Sequence, residues 1–348
     1  DGSFYITKHP NTGGLVSTGT VTAQLLYEIS SPAYLNPDVI AHFDTLKIEE
    51  DSKDRVYISG CRGSSPTQSH KVCINLAGGY RNGMEFILTG LDIEDKAKTI
   101  TEAFFNSVGG KNQFDEVSIL LDRTDKEDPN SNEEAMASLR IAVKSKNADL
   151  VGRMFSAKMI ELALANYPGF FTGGGVRSGG PVLVYWPALI DSKHIKETVH
   201  VDGKEIEILP TNQLGLEEIY YQKQPIDLQP APSDDPLRRP LGEIFGARSG
   251  DKGGCANIGV WAKTENSFSF LNECLTVARL KELMPDLAAF EIDRYELPNI
   301  LSINFYIHGI LQDGVSSNTR KDGQAKSLGE YLRAKYVEIP KSLLEESA

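Results

Sequence analysis

Paired cysteines, glycosylation acceptors and long apolar runs are all missing from this sequence. Its four cysteines, Cys61, Cys73, Cys255 and Cys274, form no C-x-x-C spacing, and no N-x-[ST] triplet occurs. A disulfide-framed secreted domain is therefore not expected, and a reducing, cytoplasmic setting is. There is no run of about 18 apolar residues to span a bilayer, so a soluble chain without a membrane partner is expected. Positive charge is scarce: 36 Lys and Arg stand against 48 Asp and Glu, a formal net charge of −12. A phosphate backbone would be repelled at long range, which removes nucleic acid from the expected partners. No H-x-x-x-H or H-E-x-x-H exists, and the acidic stretch 125–134 lacks the central Gly and late Glu of an EF-hand, so no metal is expected. The opening residues, Asp1 to Ile6, carry no initiator Met, basic segment or apolar signal core and read like the middle of a strand. A preceding segment is expected to be missing.

At roughly 150 residues per domain, 348 residues predict about two domains. The sharpest break in composition is 224–240, with five prolines and almost no periodic apolar pattern, which reads as an extended linker between 1–223 and 241–348. Before it, period-2 and period-3.6 patterns place a helix at 19–29, paired strands at 55–59 and 71–76, and a strand at 84–91. A helix at 93–108, strands at 117–121 and 138–143, a helix at 148–166 and a strand at 182–186 follow. This is a β-α-β-β-α-β, or split β-α-β, order. Residues 199–206 form a hairpin turned at Asp202-Gly203. After the linker, strands at 241–245 and 257–262, a helix at 268–283, strands at 290–297 and 300–307 and a helix at 323–336 predict a small antiparallel sheet with helices on one side, close to a ferredoxin-like plan. The fold class is thus α+β, an α/β sandwich followed by a ferredoxin-like domain.

Chemistry has three glycine-rich places to sit. The segment from Pro10 to Thr20 holds Gly13 and Gly14 and opens a helix whose free N–H groups could receive a phosphate or carboxylate; the plain alternative is a helix capped by Thr18 or Thr20. Gly173 to Gly180 and Gly246 to Gly254 both contain G-[VA]-R-S-G, placing Arg177 and Arg248 beside flexible backbone amides suited to an anion. Neither is G-x-S-x-G, so Ser178 and Ser249 are not placed as nucleophiles. Asp251-Lys252 could act as an acid–base pair or form only a solvated turn. His308, at a strand end before a Gly, can face a cleft, and His9 borders the first glycine loop; for both, a satisfied structural role is the alternative. Cys255 reads as a packed small residue or, if exposed, a reactive thiol.

Residues 6–16, 19–29, 34–39 and 78–82 (Gly-Gly-Tyr-Arg-Asn) resemble the later part of the acyclic terpene utilisation family. Ala247 to Gly259 (A-R-S-G-D-K-G-G-C-A-N-I-G) and Asn304 to Gly309 (N-F-Y-I-H-G) resemble the ferredoxin-like domain that closes its members. The resemblance covers essentially the whole chain. It implies a longer N-terminal region before Asp1, and the family often has Asp where this chain has Cys255. It also implies a place in the breakdown of citronellol- and geraniol-type compounds, which runs through acyl-CoA thioesters.

Together these readings predict an enzyme of branched acyl-CoA or carboxylate catabolism, of lyase or hydratase type. Asp251 or His308 would move the proton and Lys252 would stabilise developing negative charge. His9, Gly13, Gly14, Thr18, Arg177, Arg248, Ser249, Gly253, Gly254 and Asn304 would hold an anionic small molecule. No cofactor is expected beyond CoA as part of the substrate, and a homo-oligomer is. The rival expectation is a noncatalytic assembly or small-anion-binding module of a larger complex.

Overall fold

A computed structural model describes residues 2–175, 177–208 and 228–347. The fold is α+β, and its contacts divide it into two compact units: Asn75–Trp186, and Asp1–Ile74 together with Pro187–Ala348.

The unit Asn75–Trp186 realises the split order. Strand Ser69–Thr89, which enters it at Asn75, lies between Phe171–Thr172 and Met136–Ser145, with Glu116–Asp122 outermost; Gly180–Asp191 also pairs with Ser69–Thr89. The strand joined to Ser69–Thr89 through helix Ile93–Ser107 is thus separated from it by an antiparallel neighbour. Met84, Phe86 and Leu88 are buried at period 2, and the helix offers Ile93, Ala97, Ile100 and Phe104 at helical spacing against them. Phe104 meets Phe155 of helix Arg153–Leu164 edge to face at 5.1 Å.

Two expectations fail in this part of the chain. Residues 71–76 and 84–91 belong to one continuous strand, and Arg55–Ser59 pairs instead with Phe4–Thr7 and Lys47–Ser52. Within that strand Gly79 marks a close approach: a Cβ on it would lie 2.8 Å from the Ser145 carbonyl oxygen, and its φ is +91°. The expected helix 148–166 is interrupted at Gly152, where a Cβ would lie 2.9 Å from the Ala148 carbonyl oxygen.

In the other unit, strands Gly246–Lys252, Cys255–Trp261, Ser302–Ile307 and Ile292–Leu297 form an antiparallel sheet in that spatial order. One face carries Ala256, Ile258, Val260, Ile303, Phe305 and Ile307, packed with Phe268, Leu271, Leu280, Leu328 and Leu332 from helices Glu265–Cys274, Val277–Leu283 and Leu328–Arg333. Helices on one side of an antiparallel sheet match the expected plan. The opposite face is polar and glycine-rich, and helix Thr18–Glu28 packs on it.

Here the glycine-rich segment 246–254 is corrected. It is not a loop between strands but a strand and its turn at Gly253 (φ +67°) and Gly254. Cβ atoms on Gly246, Gly250 and Gly259 would lie 2.2, 2.2 and 2.5 Å from Trp261, Tyr27 and Leu26, so these glycines let bulky side chains rest on the backbone. The expected strand 241–245 is a 3₁₀ turn over Leu241–Glu243, and the expected helix 323–336 shortens to Leu328–Arg333 because Tyr336–Pro340 is a strand. That strand pairs with Pro236–Pro240, so the end of the presumed linker is hydrogen-bonded structure with prolines at its two ends. Residues 224–227 of the linker lie outside the described residues.

Candidate functional site

Strand alternation decides which polar residues meet. Across the sheet's polar face, Gly250, Asn257, Tyr306 and Asp293 stand in one register row, and Arg248, Gly259, Asn304 and Tyr295 in the next; Lys252 stands opposite Cys255. Ser249 and Asp251 alternate to the other face, where Asp251 pairs with core residue Ala256. Ser249 is buried, and its Oγ accepts from the Gly329 amide at 2.9 Å.

The end of helix Thr18–Glu28 is received by this face. A helix leaves its last carbonyls without intrahelical partners. Asn257 Nδ2 donates to Leu26 O at 2.6 Å, Lys252 Nζ donates to Tyr27 O, and Asn304 Nδ2 donates to Ile29 O and Ser30 O at 3.3 and 2.9 Å. Asn257 Nδ2 also donates to Asn304 Oδ1 at 3.0 Å, and both carboxamides are fully buried. A cation at a helix C-terminus adds a favourable dipole contact. Asn257 Oδ1 remains buried without a hydrogen-bond partner among the described residues.

Next to this network lies the densest set of reactive side chains on the face. His308 Nε2 and Asp293 Oδ2 are 2.8 Å apart, and each side chain is about 40% exposed (40% and 41%). The Tyr306 ring meets His308 edge to face at 4.8 Å, and Tyr295 Oη donates to Asp293 Oδ2 at 3.4 Å. Cys255 Sγ accepts from the Gly309 amide at 3.4 Å. Burial first, and then a hydrogen bond with Cys255, raises the Tyr306 hydroxyl above the ordinary tyrosine range, so it keeps its proton at neutral pH. A histidine held on one nitrogen by a carboxylate, open to solvent and flanked by a protonated phenol, can take or give a proton.

A second cluster forms around Tyr27. Arg248 and Lys252, flanking Gly250 on the same face, lie 4.9 Å from the Tyr27 ring centroid, and Lys326 lies 4.1 Å from it. Lys326 Nζ also contacts the Tyr27 hydroxyl. Burial, the largest cause, lowers the Lys252 ammonium below the ordinary lysine value; Lys326 adds to this, while Asp251 and Glu28 oppose it.

The sequence-level candidates therefore separate. Arg248, Lys252 and Asn304 share one sheet face, with Gly253 and Gly254 at its turn, and His308 follows the end of strand Ser302–Ile307 beside Asp293 and Tyr306 of that face. His9, Gly13 and Gly14 lie in an exposed loop in which Thr12 Oγ1 donates to His9 O at 2.7 Å and Lys8 Nζ to Thr12 O at 2.8 Å. The helix cap is Ser17, boxed with Thr20, and Thr18 is the first helical residue. Arg177 belongs to the other unit, where its carbonyl accepts from Asn82 Nδ2 and Ser156 Oγ at 3.0 and 2.6 Å. Asp293, Tyr295, Tyr306, Tyr27 and Lys326 were missed. The signal was present in I-N-F-Y-I-H, where apolar Ile303, Phe305 and Ile307 alternate with Asn304, Tyr306 and His308. Elsewhere, a cleft of about 270 Å³ lined in part by His70, Lys193, His194 and Glu197 contains none of these residues. Among the described residues, no three His, Cys, Asp or Glu side chains group as a metal set, and no helix is long and apolar enough to cross a membrane.

The profile described as acyclic terpene utilisation family protein AtuA matches residues 1–201, more than half of the chain. The chain belongs to the acyclic terpene utilisation family. A second profile, the AtuA ferredoxin-like domain, matches residues 239–338 and contains the whole polar face of the sheet. Helix Thr18–Glu28, which packs on that face, comes from the segment matched by the first profile, so both family regions contribute to the candidate site. No curated protein and no solved structure matches this family member.

Proposed function

We propose that the chain is an enzyme of branched acyl-CoA or related carboxylate catabolism, working in the cytoplasm, with a lyase or hydratase step at the polar sheet face. The observation that carries the reading is the 2.8 Å contact between His308 and Asp293 beside Tyr306. Addition or loss of water next to a carbonyl needs one group to take a proton and another to give one. His308 takes the proton, with Asp293 fixing its ring, and Tyr306, held protonated, is the donor facing it. Asp251, the other proton carrier suggested by the sequence, is not supported, because it stands on the opposite face. CoA enters as part of the substrate. In a screen of branched acyl-CoA thioesters and free acids, His308→Ala that remains folded by circular dichroism should lose turnover by roughly 10²-fold or more. Turnover at the parent rate overturns the reading.

A noncatalytic assembly role has one observation in its favour. On hairpin Thr198–Val201 and Lys204–Glu207, Val199, Val201 and Ile206 share a face and are 42, 49 and 50% exposed. Sedimentation of the parent and of Val199→Lys tests it: dissociation of an oligomer by the substitution supports a homo-oligomer built on this hairpin, and a monomeric parent removes it.

A further inference from the structure

Three cations converge on one aromatic ring in a chain whose net charge is −12. Because Arg248, Lys252 and Lys326 all lie within 5 Å of the Tyr27 centroid, no two can be more than about 10 Å apart, close to the screening length of about 8 Å at physiological ionic strength. Contact ion pairs do not answer their repulsion: among the described residues, no carboxylate lies within ion-pair distance of any of the three, and Asp251 and Glu28 act on Lys252 from farther off. Lys252 spends its hydrogen bonds on the Tyr27 and Asp251 carbonyls, and Lys326 contacts the Tyr27 hydroxyl. Arg248 is exposed and makes no hydrogen bond to a described residue, so its five donors are open. Cation–π attraction to the ring holds the three groups near one another without neutralising them.

We infer that the Tyr27 cluster is a binding site for a phosphate group, with Arg248 as the bidentate donor and Lys326 and Lys252 supplying the further positive charge. A dianion is favoured over a carboxylate because three charges converge where one would serve a monoanion, and guanidinium pairs two phosphate oxygens at once. The local field outweighs the distant net charge for a ligand in contact. The burial that lowers the Lys252 ammonium is relieved by the same ligand, since an adjacent anion favours the charged form. The inference rests on the polar face being a ligand site. It specifies that the substrate's recognised handle is a phosphate, as in a nucleotide-linked carrier, and is read without turnover.

The experiment titrates the full chain with inorganic phosphate, pyrophosphate and acetate at constant ionic strength, by ³¹P NMR and calorimetry. Saturable binding is expected for the two phosphates, with acetate at least tenfold weaker. Arg248→Ala and Lys326→Ala, both exposed positions, should each weaken phosphate binding by roughly tenfold, and Arg239→Ala should not change it. Arg248→Lys should recover only part of the loss. Equal binding of acetate and phosphate, or phosphate binding indifferent to both alanine variants, overturns the inference. Loss of turnover in His308→Ala with phosphate binding retained leaves this site standing, and failure of phosphate binding with turnover intact removes it alone.

Discussion

The ring of Tyr27 lies so close to the backbone of Gly250 that a Cβ placed there would fall 2.2 Å from its Cε2 atom. The helix cannot simply retreat, because Asn257 and Lys252 bind its Leu26 and Tyr27 carbonyls. Gly250→Ala is therefore expected to destabilise the chain by about 1–3 kcal/mol through overpacking. Gly13→Ala, with nothing within 4 Å of the added atom, should stay within about 0.5 kcal/mol of the parent. Urea denaturation compares the two, and equal midpoints would refute the packing of this helix on the strand.

Asn304 makes a sharper test because its partners are specific. Its amide serves the Ile29 and Ser30 carbonyls, and its oxygen takes a bond from Asn257. Asn304→Leu keeps the volume but strands two carbonyls and one amide, at a cost of about 2–4 kcal/mol. Asn304→Asp aims a carboxylate at two carbonyl oxygens, so the folded state favours the protonated acid and its pKa rises. Stability of that variant should then be greatest below the ordinary aspartate pKa and fall as pH rises, the reverse of a salt-bridged aspartate. A pH series of urea midpoints on Asn304→Asp and the parent measures the sign.

Asp293 touches His308 but is placed here as a positioning residue. Asp293→Asn keeps shape and a hydrogen bond at Nε2 while removing the charge that fixes the imidazole. Because the site is half-exposed, the melting temperature should change little. The expected outcome is a fall in kcat of roughly 10²-fold with KM nearly unchanged. A fall in stability with kcat and KM unchanged would mark Asp293 as structural.

Much of this was written in the residues at period 2 and was overlooked where glycine intervened. In R-S-G-D-K, residues 248–252, strand alternation alone places Arg248, Gly250 and Lys252 together and Ser249 and Asp251 apart, yet so many glycines suggest a loop. The glycines answer to rings packed on the backbone, and those rings come from Tyr27 and Trp261, one of them more than 200 positions away. No local pattern records such a partner. The helices of residues 93–107 and 18–28 were legible because their apolar spacing is local. Tyr27 and Lys326 were not, since a tyrosine near a helix end and a lysine before a short helix carry chemistry only once the chain brings them together.

Cys274 provides a test of the core that packs the other face of the same sheet. Its thiol lies against the buried cluster around Leu271 and Leu280, and burial pushes it up to about 12 from an ordinary 9.0. A raised pKa means the folded chain holds a proton that the unfolded chain gives up first. The contribution is fully present below pH 9 and is lost as pH rises toward 12, at up to about 1.4 kcal/mol per pH unit inside that window. Tyr167, also pushed up by burial to about 12, bends the curve in the same direction, so the parent alone cannot isolate the thiol. Cys274→Ala removes only that proton, and the difference between the two stability curves from pH 8 to 11 isolates it. The parent should lose stability faster than the variant above pH 9; parallel curves would place the Cys274 thiol in contact with water.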